Sequence, residues 1–198
     1  MLTLAFDTAT SAATVALVRD GDVLGERVSR AVQVLEDADD LLSQAALEQM
    51  ELTGLVVGTG PGSFTGLRMG LAAARGLALA LDLPVAGVST LAALAAGSPG
   101  ALPVIDAGRR EVFTLSDGGE YACYMPQALS FRPGTVCVGD GALRYRAVLE
   151  ERGAEIPPDE DERHLPRARF HVELARDFGP AELVEPIYLR IPDAEKSA

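Results

Sequence analysis

Apolar residues at the start of the chain cluster in short runs separated by turn-forming residues. Residues 2–6 form one such run, and two runs with alternating polar and apolar positions cover residues 14–19 and 23–28. The Asp20-Gly21 pair between the last two runs is a strong signal for a tight hairpin. The pattern therefore predicts three strands, of which the second and third are antiparallel neighbours.

Helical spacing of apolar residues follows this strand region. Residues 35–50 place apolar side chains three and four positions apart, residues 55–57 are typical of a buried strand, and residues 64–81 form a long apolar segment. Residues 84–88 and 90–96 repeat the order of strand and helix. Strands that alternate with helices indicate a layered α/β lobe.

A second lobe is predicted after Pro99-Gly100, which divides the chain into an N-terminal lobe of residues 1–100 and a C-terminal lobe of residues 101–198. The final helix of the second lobe is a candidate to pack back on the first lobe. The predicted strands of the second lobe are residues 103–105, 110–115, 121–124 and 136–138, with a turn at Asp117-Gly118-Gly119, and its predicted helices are residues 142–152 and 166–178.

Each lobe begins with an apolar strand that ends in an aspartate, Asp7 in the first and Asp106 in the second. This echo suggests a duplicated two-lobe architecture. Asp7 and Thr8 have two interpretations. Turn amides and a carboxylate can hold a magnesium-bound phosphate, but Asp and Thr side chains also cap backbone amides in turns. Because the turn carries no basic residue, the capping role is favoured.

The loop before the long apolar helix, residues 58–66 (GTGPGSFTG), is rich in glycine. It is either an anion cradle at a helix N-terminus or a tight turn in which Ser63 caps the helix. Its residue order matches neither the Walker A loop nor the dinucleotide fingerprint. The tight turn is therefore favoured.

Small residues recur every four positions along the predicted helix, at Gly66, Gly70, Ala74 and Ala78. Such a stripe lets another backbone approach closely. Each glycine inside a helix costs about 1 kcal/mol relative to alanine, so close packing must offset it. Either the whole helix is buried in this chain's own core, or one side packs on the sheet and the stripe receives a partner's helix. The second alternative is our working hypothesis.

Charge limits the classes of partner. The chain carries 17 Lys and Arg against 29 Asp and Glu, a net charge of −12, which disfavours direct binding of nucleic acid. Residues 61–110 contain only two of the acids and four arginines, as expected of a segment wrapped in its own core or pressed against another chain. Arg68 and Arg75 lie within the long apolar helix and disfavour a membrane span, so we expect a soluble protein.

Few residues are candidates for catalysis or metal binding. His164 and His171 are the only histidines, seven residues apart, and are expected to be surface or cap residues. Cys123 and Cys137 form no CxxC motif and are expected to be ordinary thiols. The chain has no HExxH or HxxxH motif and no nucleophile elbow at Ser63. We therefore assign no catalytic or metal-binding residue.

Five motifs, in chain order, make the chain resemble the bacterial TsaB (YeaZ-like) family over nearly its full length. They are LAFDTAT at residues 4–10, GTGPGSFTGLRMG at 58–70, GVSTL at 87–91, IDA followed by REV within 105–112, and PIYLR at 186–190. The resemblance implies an α/β, two-lobed, actin-like and sugar-kinase-like (ribonuclease-H-like) duplicated fold.

The resemblance also implies a role in placing the threonylcarbamoyl group on the anticodon-adjacent adenosine of tRNAs that read codons beginning with A. In that family the protein is a non-catalytic scaffold that binds and activates the catalytic subunit TsaD, and the ATPase subunit TsaE joins the pair. Contact with tRNA would occur only through this complex, in the cytoplasm. No cofactor would bind tightly, and ATP or ADP would bind only at the partner complex.

The family's partner surface is built from the two helices of the N-terminal lobe, and isolated members often form homodimers through it. The residues implied here for this surface are Leu42, Gly66, Arg68, Gly70, Leu71, Ala74, Arg75 and Ala78.

Two departures and two alternatives accompany the resemblance. Residues 35–50 contain no histidine, so the HxxxH metal ligands of TsaD-like enzymes are absent, and residues 31–35 differ from the His-Ser that is common in the family. The alternative function is an actin-like ATPase that binds nucleotide through Asp7, Thr8 and Asp106 as a degenerate site. A glycoprotease-like peptidase is less favoured, because the chain has no metal motif or catalytic triad.

Overall fold

The computed structural model describes residues 1–116 and 118–189. Asp117 of the predicted hairpin turn and Arg190 of the PIYLR motif lie outside these residues. The strands of the described chain are β1 (Leu2–Asp7), β2 (Ala13–Arg19), β3 (Asp22–Ser29), β4 (Gly54–Gly58), β5 (Val85–Val88), β6 (Leu102–Gly108), β7 (Glu111–Leu115), β8 (Tyr121–Tyr124) and β9 (Cys137–Val138).

Helices connect and cover these strands. The α-helices of the described chain are α1 (Val34–Gln44), α2 (Phe64–Leu81), α3 (Thr90–Ala96), α4 (Asp140–Arg144), α5 (Arg146–Glu151) and α6 (Ala168–Leu174). The long helix α2 has the predicted bounds. Helix α1 is shorter than predicted because Ala46 adopts a left-handed conformation with φ 53° and the Leu47 N–H donates to the Leu42 carbonyl, which ends the helix.

The two sheets repeat one topology. The first has the strand order β3-β2-β1-β4-β5 and the second β8-β7-β6-β9. In each sheet three consecutive strands form an antiparallel meander, and a later strand pairs in parallel with the first of the three. Asp7 and Asp106 lie at equivalent places, toward the end of the first strand of each meander. The duplicated two-lobe fold is confirmed.

The first sheet is covered on both faces. Leu4, Phe6 and Leu17 point to the side of α1 and α2, where they form the largest apolar cluster with buried residues of both helices. Ala5 and Ala16 point to the opposite side and pack against α6, as the alternation of side chains along a strand requires. Burial on both faces explains why β1 carries apolar side chains on both sides, with Thr3 and Asp7 as its polar residues.

The second lobe has two smaller clusters. One lies under α4 and α5 and contains Val104, Val112 and Leu149. The other joins Ile105 and Phe113 to the α3 residues Leu91 and Leu94, so α3 packs on the second sheet.

The C-terminal part of the chain returns to the first lobe. Helix α6 packs against β1 and β2 and is shorter than the predicted 166–178, because the backbone becomes extended at Ala175. Among the described helices, only α2 is long and apolar enough to cross a membrane, but its inner face packs in the core of the first lobe.

Candidate functional site

The carboxylate of Asp7 is enclosed at the end of β1. Its Oδ1 atom accepts a hydrogen bond from the Ala9 N–H at 2.7 Å. Its Oδ2 atom accepts one from the Thr90 hydroxyl at 2.6 Å and faces Nε2 of His171 at 2.7 Å. Asp7 and His171 are both fully buried. Both carboxylate oxygens of Asp7 are therefore hydrogen-bonded to groups of the chain itself.

Two glycines of the sequence motifs permit close packing around this turn. A Cβ atom on Gly58 would lie 2.1 Å from Asp7 Oδ2, and one on Gly66 would lie 2.0 Å from the Thr8 carbonyl oxygen. Thr8 is itself buried, and its hydroxyl donates to the Gly66 carbonyl at 2.7 Å. The turn after β1 is thus pressed into α2, and the predicted capping role of Asp7 is confirmed.

The small-residue stripe of α2 faces this turn and the first sheet. Gly66 and Gly70 contact Thr8, and Ala74 and Ala78 are buried in the core of the lobe. The expectation that these four residues present a groove to a partner is therefore wrong for the folded chain, because Thr8 and the apolar core of the lobe fill the groove. Leu42 and Leu71, implied for the same surface, also lie in the core.

Arg68 and Arg75 are the two implied surface residues that are exposed. The Arg68 guanidinium stacks over the Phe64 ring at 3.9 Å from its centroid. Arg75 donates through a terminal nitrogen to the Val184 carbonyl at 3.0 Å.

The outward face of α2, defined here as Arg68, Ala72, Gly76 and Leu79, is exposed. Leu79 has 88% of its surface exposed. A Cβ atom on Gly76 would meet nothing within 4 Å, so no contact within the described chain requires glycine there. Apart from Arg68, the sequence did not indicate this face, because small residues occur on both sides of α2. The stripe that contains Gly66 and Gly70 is the more regular of the two patterns.

Asp106 lies in β6 and is paired within the second lobe. Its Oδ2 atom accepts from Arg144 at 2.8 Å, and its Oδ1 atom accepts from the Gly108 N–H at 3.1 Å. Asp140, which sequence analysis did not single out, accepts from the Asp106 N–H at 2.9 Å and from the Ser11 N–H at 3.1 Å. Burial raises the pKa of Asp140, and the nearby carboxylate of Asp106 adds to this effect. Asp140 therefore links the turn after β1 to the second lobe.

The glycine-rich loop uses several of its amides internally. The Gly60 N–H donates to the Thr90 hydroxyl at 3.1 Å, and the Ser63 N–H donates to the Ala9 carbonyl at 2.7 Å. Ser63 accepts from the Gly66 N–H at 3.3 Å and caps α2. The tight turn with a serine cap is confirmed.

Both histidines are buried, so the prediction that they are surface or cap residues is wrong. His164 accepts from the Gly139 N–H through Nδ1 at 3.1 Å, and its Nε2 faces the Pro157 carbonyl at 3.2 Å.

Burial raises the pKa of the Cys137 thiol to about 11. Within residues 1–116 and 118–189, no group of three or more His, Cys, Asp or Glu side chains is placed to hold a metal ion.

The two sheets share one topology, and each has an aspartate toward the end of its first strand. These features define the chain as a two-lobed protein of the actin-like fold. Ethanolamine utilization protein EutJ from Carboxydothermus hydrogenoformans shares this fold, with a TM-score of 0.52 at 10% identity over 86% of this chain and 90% of that chain. The model of the family TsaD, tRNA N6-adenosine threonylcarbamoyltransferase, matches residues 16–127, which is more than half of the chain.

Relatives with higher sequence identity place the chain in one family within this fold. YeaZ from Pseudomonas aeruginosa superposes with a TM-score of 0.78 at 30% identity, covering 95% of this chain and 99% of that chain. The tRNA threonylcarbamoyladenosine biosynthesis protein TsaB of Haemophilus influenzae is 32% identical over 94% of this chain and 92% of its own length. An uncharacterized protein of Mycobacterium tuberculosis, Rv3421c, is 38% identical over 98% and 94%. The chain belongs to the TsaB (YeaZ) family.

Proposed function

We propose that this protein serves in the biosynthesis of threonylcarbamoyladenosine in tRNA as a non-catalytic subunit that docks and activates a TsaD-type catalytic subunit. The process is the one for which its TsaB relatives are named. The observation that carries the docking role is the outward face of α2, which is exposed, has small and apolar residues beside Arg68 and lacks a covering element among the described residues.

Gly76 and Leu79 favour close contact with a helix of another protein. Glycine in an exposed helix interior costs about 1 kcal/mol relative to alanine, and the space around Gly76 is open. A helix from another protein that packs closely at this position would offset the cost. Leu79, 88% exposed, supplies apolar area beside it.

Charge complements this apolar face. Arg68 and Arg75 lie on α2, whereas the neighbouring helix α1 exposes Glu36, Asp39 and Asp40. A basic helix beside an acidic one suits a partner with the same pair of helices arranged so that opposite charges meet. The TsaD family model matches this chain across both helices, which supports a TsaD-type subunit as the partner.

The enclosed carboxylates support a non-catalytic role. Both oxygens of Asp7 are bonded within the chain, so binding of magnesium-nucleotide there would require the turn to open. The actin-like ATPase function is less well supported for this reason. On the family resemblance we also propose that a TsaE-type subunit joins the complex and that the isolated chain forms a homodimer. ATP or ADP would bind only at the partner complex, and tRNA would be contacted only through that complex. The location would be the cytoplasm.

The test is the affinity for the TsaD-type subunit of the same organism, measured by calorimetry. We expect Leu79→Glu to weaken the complex at least about tenfold, because it replaces an apolar contact of this face with a charged side chain that must lose water on binding. Met125→Glu, at an exposed apolar position in the second lobe, is the matched control and should change affinity less than about twofold. Unchanged affinity for Leu79→Glu would overturn the docking role. The threonylcarbamoyladenosine content of tRNA in the reconstituted reaction should fall with the affinity.

A further inference from the structure

The last described residues of the chain form a strap across the first lobe. We define the C-terminal strap as residues 179–189. It begins beside the edge strand β5, where Val85 and Gly179 exchange backbone hydrogen bonds of 2.8 and 3.1 Å. It then continues to α2, so the two ends of the strap lie against different elements of the same lobe.

Three contacts hold the strap against α2 and the end of β4. Arg75 donates to the Val184 carbonyl at 3.0 Å, and the Ile187 N–H donates to the Thr59 carbonyl at 2.8 Å. The rings of Phe64 and Tyr188 lie 5.6 Å apart at 37°, within the range of favourable aromatic pairs. Backbone and ring contacts together fix where the strap lies on the helix.

The strap borders the outward face of α2 along one flank. Phe64 and Arg75 are eleven residues apart, close to three turns of an α-helix, and therefore lie on one side of α2. Both contact the strap. Arg75 is also four residues before Leu79, and Arg68 stacks on Phe64. The strap therefore contacts residues of α2 that adjoin the outward face on this flank.

Exposed side chains of the strap have the composition of a protein interface. Leu183 has 76% of its surface exposed and Tyr188 45%, although aromatic residues make up only 5% of the chain. Tyrosine and arginine are enriched among residues that dominate binding energy. Arg68 forms no ion pair with a described residue, so its charge is available to a partner's carboxylate.

We propose that the C-terminal strap and the outward face of α2 form one continuous docking surface, in which Tyr188 and Leu183 contact the same partner helix as Gly76 and Leu79. This inference rests on the proposed function, and its occupant is the TsaD-type subunit. The contacting helix of that subunit carries small residues opposite Gly76 and a carboxylate opposite Arg68. A helix that packs on Arg68 and Leu79 reaches the flank that the strap occupies.

The experiment measures the affinity of the TsaD-type subunit for strap variants of the full chain. We expect Tyr188→Ala and Leu183→Ser each to weaken the complex about tenfold, as loss of an interface anchor does. Tyr121→Ala is the matched control, because Tyr121 lies in the second lobe with 40% of its surface exposed, and it should stay within about twofold. Leu79→Glu, measured in parallel, reports on the outward face itself.

The outcomes separate the two proposals. If Leu79→Glu weakens the complex while both strap variants keep the wild-type affinity, the strap is not part of the surface and only this inference fails. If Leu79→Glu has no effect, the docking role fails with it. A photo-crosslinking residue introduced at position 183 keeps the inference testable even if Tyr188→Ala perturbs folding. A crosslink to the TsaD-type subunit supports the inference, and its absence from an assembled complex overturns it.

Discussion

At the residue scale, the Asp7 carboxylate is held by donors from three parts of the chain. Thr90 comes from α3, His171 from α6 and the Ala9 amide from the turn beside it. The second ring nitrogen of His171 faces the Arg167 carbonyl at 3.3 Å. Both nitrogens of this buried ring thus lie within hydrogen-bond distance of an oxygen atom. His171 therefore bridges the Asp7 side chain and the backbone of its own helix.

We therefore predict that His171→Ala lowers the free energy of unfolding by about 2–4 kcal/mol, because it removes a hydrogen-bond partner of the buried Asp7 side chain and leaves a cavity. Urea denaturation measures this loss. The double variant Asp7→Asn with His171→Ala should lose less than the sum of the two single variants, since both remove the same interaction. Additive losses would show that the two side chains do not stabilise each other.

At the element scale, α2 has two faces of small residues with opposite roles. Gly70 lies against Thr8, where an added Cβ atom would approach the hydroxyl oxygen at 2.4 Å, whereas Gly76 has open space around it. One glycine is required by packing within the chain and the other is not. The same residue type, six positions apart on one helix, therefore marks a core contact and an exposed surface.

This contrast predicts opposite effects of one substitution at the two sites. Gly70→Ala should destabilise the protein by about 1–3 kcal/mol, because the helix and the turn after β1 must separate. Gly76→Ala should stabilise it by about 0.5–1 kcal/mol, because alanine favours the helix and meets no atom. Thermal and urea unfolding of the two variants test this. Equal effects of the same sign would contradict the assignment of the two faces.

At the scale of the whole molecule, the lobes are tied together by polar contacts from distant parts of the chain. Asp140 bonds to the Ser11 amide of the first lobe. The Thr14 hydroxyl donates to the Pro166 carbonyl at 2.7 Å, and Glu26, 4% exposed, pairs with Arg167 at 2.6 Å and with Arg169 at 2.8 Å. These contacts hold α6 on the first sheet and fix the arrangement of the two lobes.

We predict that Asp140→Ala loosens this arrangement at two identifiable amides. Hydrogen exchange at Ser11 and Asp106 should become at least about tenfold faster, because both N–H groups lose their acceptor. The Gly60 amide, which donates to Thr90, is the internal control and should be unchanged. Equal acceleration at all three amides would indicate general destabilisation instead of a lost link.

The pH dependence of the same link has a defined sign. Burial raises the pKa of Asp140, so the folded state holds this proton to a higher pH than the unfolded state does. Its contribution to stability is full below the unfolded pKa, near 3.9, and is lost as pH rises through the raised value. The stability of the wild type relative to Asp140→Asn should therefore decline as the pH rises above about 4. A relative stability that rises over this range would contradict the sign.

Much of the fold was predictable because its signals are local. Asp20-Gly21 located the β2–β3 hairpin, Ser63 located the start of α2, and the strand-end aspartates indicated the duplication. The length of α6 and the burial of His164 and His171 were not predictable, since each depends on groups far away in the chain. His171 and Asp7, for example, are 164 residues apart.

The candidate surface shows the same limit. Sequence spacing identified α2 as the helix that binds a partner, but it assigned the docking role to Gly66, Gly70, Ala74 and Ala78. A spacing of four residues indicates that the side chains lie on one face of a helix. It does not indicate whether another segment of the chain or solvent covers that face.

The sequence by itself therefore determined the strands, the long helix, the two-lobe repeat and the family, because hydrophobic period, turn residues and motif order are properties of neighbouring residues. Only the tertiary structure decided which side of α2 is covered, that Asp7 is enclosed by His171 and Thr90, and that the C-terminal strap lies beside the outward face. Burial and hydrogen-bond partners depend on which segments meet in space, and contacts across 80 to 160 residues leave no periodic signal in the chain.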